Sequence, residues 1–288
     1  MNMRKSLAFL VTLAALVTGA LAFPAEGSDF PEAVDKPVVI QLAGVWNSFD
    51  TQAQLNVSRG GVLAVGTTVD MEALFGVPTT QWDFRADGRW QLSKRNYIDF
   101  GYSALDRSGA RALEGDVVWN GYTYKAGLTI DGRFDNTYAY VGWHCDILRA
   151  ENIKVWGGLS VAYEHFEMGL DGEAFLTDPD GTVTRKTDFN GISVGVPAPL
   201  LGLGVKGALS KSWTMDFYVR AIGFTSTDLG GSVVEGGLSF GWYPTRSFGL
   251  VGGADLTKFA LKKYKTGDNT VKAVYSYAGP RLGLVVGF

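Results

Sequence analysis

His144-Cys145-Asp146 places an imidazole and a carboxylate two residues apart, and His165 lies beside Glu164 and Glu167. These are the chain's only two histidines, so acid–base chemistry near neutral pH would centre on them. In an extended strand, residues two apart share a face at a spacing of about 7 Å. His144 and Asp146 therefore look the same way, and Cys145 looks the other. A nucleophilic Ser needs a positioned base, and the sequence offers no paired candidate. Cys145 is the single cysteine; it forms no intramolecular disulfide and reads as a small hydrophobe. No metal-ligand cluster and no phosphate-cradling Gly loop stands out, so no metal and no cofactor is expected. Asp178 and Asp180 sit in Asp178-Pro179-Asp180-Gly181, which is turn chemistry at a loop tip rather than a Ca²⁺ site.

The elements that would position these residues have a period of two. Trp82, Phe84, Ala86, Gly88, Trp90 and Leu92 alternate with Asp83, Arg85, Asp87, Arg89 and Gln91. Ile98, Phe100 and Tyr102 alternate with Asp99, Gly101 and Ser103. Val141, Trp143, Cys145 and Ile147 alternate with Tyr140, Gly142, His144 and Asp146. Similar runs cover 154–164, 215–221 and 234–242. Four connections are tight: Ser93 to Asn96, Arg149 to Asn152, Ser210 to Ser212, and Pro244 to Ser247. Five others run about Arg59 to Thr79, Ser108 to Leu128, Asp171 to Asn190, Ser226 to Gly230, and Tyr264 to Thr270, mostly longer. Nine connections imply ten antiparallel strands, and short turns opposite longer loops are the asymmetry of outer-membrane barrels. Asp70 before Met71-Glu72-Ala73-Leu74-Phe75 reads as an N-cap and one helical turn in the first long loop.

The expectation is an all-β transmembrane barrel of about ten strands, with eight or twelve as alternatives. Composition agrees. The chain has 38 glycines in 288 residues, roughly twice the usual ~7% share. Charged residues make up 19%, below the ~25% of soluble domains. Trp82, Trp90, Trp143, Trp213 and Trp242 sit near strand ends, where a membrane–water boundary favours them. Residues 1–22 read as a signal peptide: Arg4 and Lys5, the apolar run Ser6 to Thr18, and the small-residue site Ala20-Leu21-Ala22. The mature chain should begin at Phe23, with 23–37 a periplasmic lead-in and 38–288 the barrel in the outer membrane of a Gram-negative bacterium. Without Arg4 and Lys5 it keeps 24 basic against 29 acidic residues, and nothing suggests nucleic-acid binding.

The alternation assigns eight acids to the lumen: Asp83, Asp87, Asp99, Asp146, Glu164, Asp216, Glu235 and Asp255. The inward bases are Arg85, Arg89, Lys154, Lys206, Arg220 and Arg281. A barrel of about eight strands is just filled by its side chains. The first expectation is therefore a salt-bridged plug, with Arg85 coupled to Asp83. The sharper alternative is a narrow porin-like path that prefers cations weakly, because acids exceed bases.

Arg281, Gly283, Val286 and Phe288 resemble the C-terminal assembly signal of outer-membrane proteins. That resemblance implies the barrel-insertion machinery as a partner, beside the lipid itself. Gly66 to Glu72, Trp82 to Trp90, Asp99-Phe100-Gly101-Tyr102, Leu105-Asp106-Arg107 and Ala198 to Leu203 resemble a family of bacterial outer-membrane barrel proteins without assigned activity. The resemblance implies the fold and no catalytic residues. The His144/Asp146 spacing is similar to the Asp/His pairing of omptin proteases. The tight turn at Arg149 puts it at the periplasmic end, however, whereas those enzymes work at the outer rim. The functional expectation is a non-enzymatic barrel with a structural, adhesive or narrow-channel role. The alternative is a hydrolase acting on lipid or peptide at the outer rim, resting on His165 and its carboxylates.

Overall fold

Alternating residues commit ten segments to strands, and the computed structural model closes them into one ring; it describes residues 30–59, 62–64, 66–177, 183–186, 190–266 and 269–288. The strands are β1 (Val38–Arg59), β2 (Thr80–Gln91), β3 (Asn96–Ala112), β4 (Thr129–Arg149), β5 (Ile153–Asp171), β6 (Asn190–Ser210), β7 (Trp213–Thr225), β8 (Leu229–Trp242), β9 (Phe248–Thr266) and β10 (Asn269–Gly287). Each pairs antiparallel with the next. β10 returns to β1 in the register Leu42↔Leu284 and Ala53↔Ala273, so the sheet has no free edge. The Phe288 N–H donates to the Val38 carbonyl at 2.8 Å and ties last strand to first. Gly283 stands where β10 crosses close to β1; a Cβ there would lie 2.6 Å from the Leu42 carbonyl oxygen. Residues 1–29 and the tip 178–182 lie outside the described residues, so the signal peptide, the Phe23 start and the Asp178–Gly181 turn do too.

The outward face carries an apolar belt. Leu203 and Trp82 are each 61% exposed, and Phe84, Val141, Leu159, Leu201 and Leu282 are exposed with them. So continuous an apolar surface is unsustainable in water. Two aromatic girdles bound it. Trp46 and Trp82 meet edge to face at 5.5 Å, with Tyr102 and Tyr163 at the same level. At the other boundary Trp213 stacks on its register partner Trp242 at 6.3 Å. Between the girdles, β5 presents Val155 to Tyr163, matching the ~9–11 residues a spanning strand needs. The chain is a transmembrane β-barrel.

Beyond the outer girdle the alternation keeps its period but swaps phase. Along β4 the outward residues are Ala139, Val141, Trp143 and Ile147 in the belt, then Thr137, Asp135, Arg133 and Asp131 above it. The buried set runs the opposite way, from Asp146, His144 and Tyr140 to Phe134 and Ile130. β1, β3, β5, β9 and β10 do the same. Once outside lipid, the barrel obeys the rule of soluble proteins, with apolar residues inside and charge in water. This corrects the expectation of a charged lumen throughout. The outer half encloses a dry cluster that includes Phe49, Leu55, Phe134, Phe166, Phe259 and Tyr275.

The five outer connections differ in length. β7 to β8 and β9 to β10 turn within a few residues, as short as the periplasmic turns. The other three carry structure. The first holds the short helix α1 (Met71–Phe75), capped by Asp70 Oδ1, which accepts from Ala73 N at 2.7 Å. The second is a hairpin, Val117–Trp119 with Tyr122–Tyr124, turning at Asn120-Gly121, where both φ values are positive (50° and 78°). Asn-Gly suits a type I′ turn because both central residues must tolerate positive φ. The third contributes Ala174–Thr177 and Val183–Lys186, and Phe175 pairs with Thr123 to join both hairpins into one four-stranded sheet. Trp119 and Tyr124 are buried beneath it in the outer cluster.

Candidate functional site

Strand parity delivers all fourteen predicted charges to the inside of the ring. Asp83, Arg85, Asp87 and Arg89 come from β2, Asp99 from β3, Asp146 from β4, and Lys154 and Glu164 from β5. Lys206 comes from β6, Asp216 and Arg220 from β7, Glu235 from β8, Asp255 from β9 and Arg281 from β10. The barrel brings most of them into pairs. Arg85 Nε donates to Asp87 Oδ2 at 2.9 Å, Arg89 Nε to Asp99 Oδ1 at 3.2 Å, and Arg281 Nη1 to Asp255 Oδ2 at 3.0 Å. Lys206 Nζ lies 3.2 Å from Asp216 Oδ2. Arg220 Nη1 stands 3.7 Å from Glu235 Oε2, and Glu235 accepts from the Tyr138 hydroxyl.

One expected coupling is different from the sequence reading. Arg85 pairs with Asp87 and not with Asp83, whose buried Oδ1 has no hydrogen-bond partner. Asp146 pairs with Arg149 at 3.4 Å rather than with His144. Glu164 enters no ion pair among the described residues; it accepts from Asn136 Nδ2 at 2.5 Å.

His144 instead joins Asp99 on the neighbouring strand. Its Nδ1 is 2.9 Å from Asp99 Oδ2, and its Nε2 is 3.3 Å from Ser160 Oγ on β5. The order carboxylate, imidazole, hydroxyl is that of a hydrolytic triad, which the sequence reading missed. The surroundings fit a structural role. His144 is fully buried, stacked on Trp156 at 4.4 Å and edge-on to Tyr97 at 5.5 Å. Ser160 is buried too and does not line the lumen cavity. The other candidate is divided by strand parity. His165 and Glu167 face outward, and Glu164 faces the lumen. Among the described residues no cluster of three or more potential metal ligands occurs.

The lumen is layered. At the periplasmic mouth the segment after Phe30 packs into the barrel. Pro31 starts a 3-10 turn, Glu32–Val34, whose Ala33 and Val34 pack with Phe30 against Ala208, Tyr243, Val251 and Val285. Asp35 anchors it through Lys154, with Arg149 Nη2 at 3.5 Å, and Lys154 Nζ sits 4.1 Å above the Phe30 ring. Above this turn lies a cavity of about 130 Å³, walled by Val34, Arg85, Arg220, Trp156, Tyr140 and other residues. Above that comes the apolar outer half.

One charge pair is embedded in that outer half. Arg107 on β3 has a fully buried side chain. Its Nη1 donates to Glu72 Oε1 of α1 at 2.6 Å and to the Pro78 carbonyl at 3.2 Å, and its Nη2 donates to Thr51 Oγ1 at 2.6 Å. Glu72 Oε2 accepts from the Thr51 N–H at 2.9 Å. The guanidinium lies 4.1 Å over Phe49 and 5.0 Å over Phe134.

No family model matches the chain, and no curated protein matches it. Several solved structures share elements of its architecture. Outer membrane protease OmpT from Escherichia coli aligns at 11% identity over 88% of this chain and 97% of its own, with a TM-score of 0.48. The translocator domain of autotransporter NalP from Neisseria meningitidis aligns at 11% identity over 99% and 98%, with a TM-score of 0.43. The P. putida toluene transporter TodX aligns at 9% identity over 91% and 95%, with a TM-score of 0.34.

Proposed function

We propose that this chain is a non-enzymatic outer-membrane barrel that holds a rigid, protein-filled head above the lipid, and that its lumen is a structural interior and not a conduit. The carrying observation is the layering. The periplasmic turn fills one mouth, paired charges cross the middle, and an apolar core with a four-stranded cap fills the outer half. An apolar constriction closes a path to ions by dewetting, and the outer cluster fills its half of the lumen with rings and aliphatics. A firmly packed outer head suits a structural or adhesive role better than transport.

Single-channel recording in planar bilayers tests this. The folded protein should give no resolved conductance steps. Removing the turn by deleting 30–35 should give none either, because the outer core remains. Steady open steps from the unaltered protein would overturn the reading.

Export and placement belong to the same proposal. The charged n-region, apolar run and Ala-Leu-Ala site direct cleavage between Ala22 and Phe23. The C-terminal residues Arg281, Gly283, Val286 and Phe288 present the assembly signal to the insertion machinery. N-terminal sequencing of protein from the outer-membrane fraction should begin at Phe23. Intact Met1, or protein confined to the cytosol, would contradict it.

A further inference from the structure

The cations on the cavity wall are matched in charge, but not all of their donors are answered. Arg85, Arg89, Lys206, Arg220 and Arg281 line the cavity, against Asp87, Asp99 and Asp216. Arg85, Arg89 and Lys206 each answer one of those carboxylates, and Arg281 is answered by Asp255. Arg220 has its counter-charge in Glu235 but no hydrogen bond to it. Its contact with Glu235, at 3.7 Å, is too long for a hydrogen bond. Its Nε and Nη1 have no hydrogen-bond partner, although the side chain is only 5% exposed. Arg281 Nε is in the same position. The ring of Tyr140, 4.3 Å from the Arg220 guanidinium carbon, and that of Tyr218, 5.3 Å away, hold the plane in place.

A buried guanidinium with unanswered donors is a costly arrangement. The group that answers it best is an oxyanion, through short charge-assisted bonds. There is room for one. The cavity measures about 130 Å³, whereas a single water needs roughly 10–15 Å³ of such space. We propose that this cavity is a binding site for a small tetrahedral oxyanion of the phosphate class, held by Arg220 with Arg281 and Lys206. The inference goes beyond the closed-barrel reading, since a sealed barrel need bind nothing, and binding is measured independently of conductance.

The experiment is equilibrium dialysis of the folded, detergent-solubilised barrel against radiolabelled inorganic phosphate at fixed ionic strength. One saturable site per chain is expected, competed by sulfate and not by chloride. Competition by glycerol phosphate distinguishes a phosphomonoester source from free phosphate. Arg220→Gln should weaken binding by about tenfold or more, the scale of a lost charge-assisted hydrogen bond. Lys258→Gln, on the outward face of β9, should leave it unchanged. If Arg220→Gln fails to fold, seen as loss of heat-modifiable gel migration, Lys206→Met carries the same expectation. Absence of saturable binding by the unaltered protein, or equal affinity in the cavity variants, would overturn the proposal.

Discussion

Glu72→Ala should destabilise the folded barrel by about 3–5 kcal/mol, the cost of leaving a buried charge without its partner. Arg107 has a fully buried side chain, set among Phe49, Phe134 and Tyr275. Its counter-charge arrives on α1, in a connection that is otherwise tied down by the Asp70 cap and by a hydrogen bond from Thr67 N to the Val118 carbonyl at 3.0 Å. Without Glu72 the guanidinium keeps two neutral acceptors, Thr51 Oγ1 and the Pro78 carbonyl, which cannot offset its desolvation. The paired change Glu72→Leu with Arg107→Leu should recover most of the loss, because a hydrophobic pair often replaces a buried ion pair at little cost. Asp135→Ala is the contrast. Its pair with Arg133 is solvated, with Arg133 52% exposed, and should be worth about 0–1 kcal/mol. Urea unfolding of the refolded barrel measures all three. If Glu72→Ala costs no more than Asp135→Ala, the outer half holds water and the dry-core description fails.

How much of this was legible follows from what each signal can carry. Ten strands, the four tight turns and the Asp70 cap are local patterns, and the structure has them. The phase swap was equally local in principle. The run Ile130-Asp131-Gly132-Arg133-Phe134-Asp135 alternates as regularly as Ala139 to Ile147, but with the polar partner on the other face. Along one face alone, the apolar residues stop near Tyr138, although the alternation itself continues to Ile130. The Asn120-Gly121 hairpin was also visible, since that dipeptide between Val117-Val118-Trp119 and Tyr122-Thr123-Tyr124 is a strong turn signal.

Partner choice was not legible. Asp83, Arg85 and Asp87 share a face at about 7 Å spacing, so sequence alone cannot rank Asp83 over Asp87. Cross-strand neighbours approach more closely, about 4.5–5.5 Å between Cβ atoms, which lets Asp99 and not Asp146 hold His144. Ser160 reaches the same imidazole only because β4 and β5 pair Gly142 with Ser160 and His144 with Gly158. Glu72 and Arg107 belong to segments that resemble other barrels, yet nothing local in either segment links them. Their meeting depends on where the first connection folds back into the mouth.

The membrane boundary itself makes the second large prediction, and β4 carries it on one face. Val141 is 54% exposed, one outward position inside the end of the lipid-facing run Ala139 to Ile147. Thr137 is the second outward position above it, next to Asp135 and Arg133. Val141→Arg should cost about 1–3 kcal/mol in lipid vesicles, the penalty for a guanidinium inside the hydrocarbon but short of the midplane. Thr137→Arg should cost about 0–1 kcal/mol, because an arginine at the interface reaches water and headgroups. The ranking comes from the solvent alone, since both sites project from one strand between the same neighbours, β3 and β5. Urea titration of vesicle-inserted variants reads it. Equal and large costs would put lipid around Asp135 and Arg133, which no outward charge pair there would survive. Equal and small costs would put water around Trp143 and Val141 and remove the membrane span. Only a steep step between the two positions is compatible with a strand that reverses its polarity where the bilayer ends.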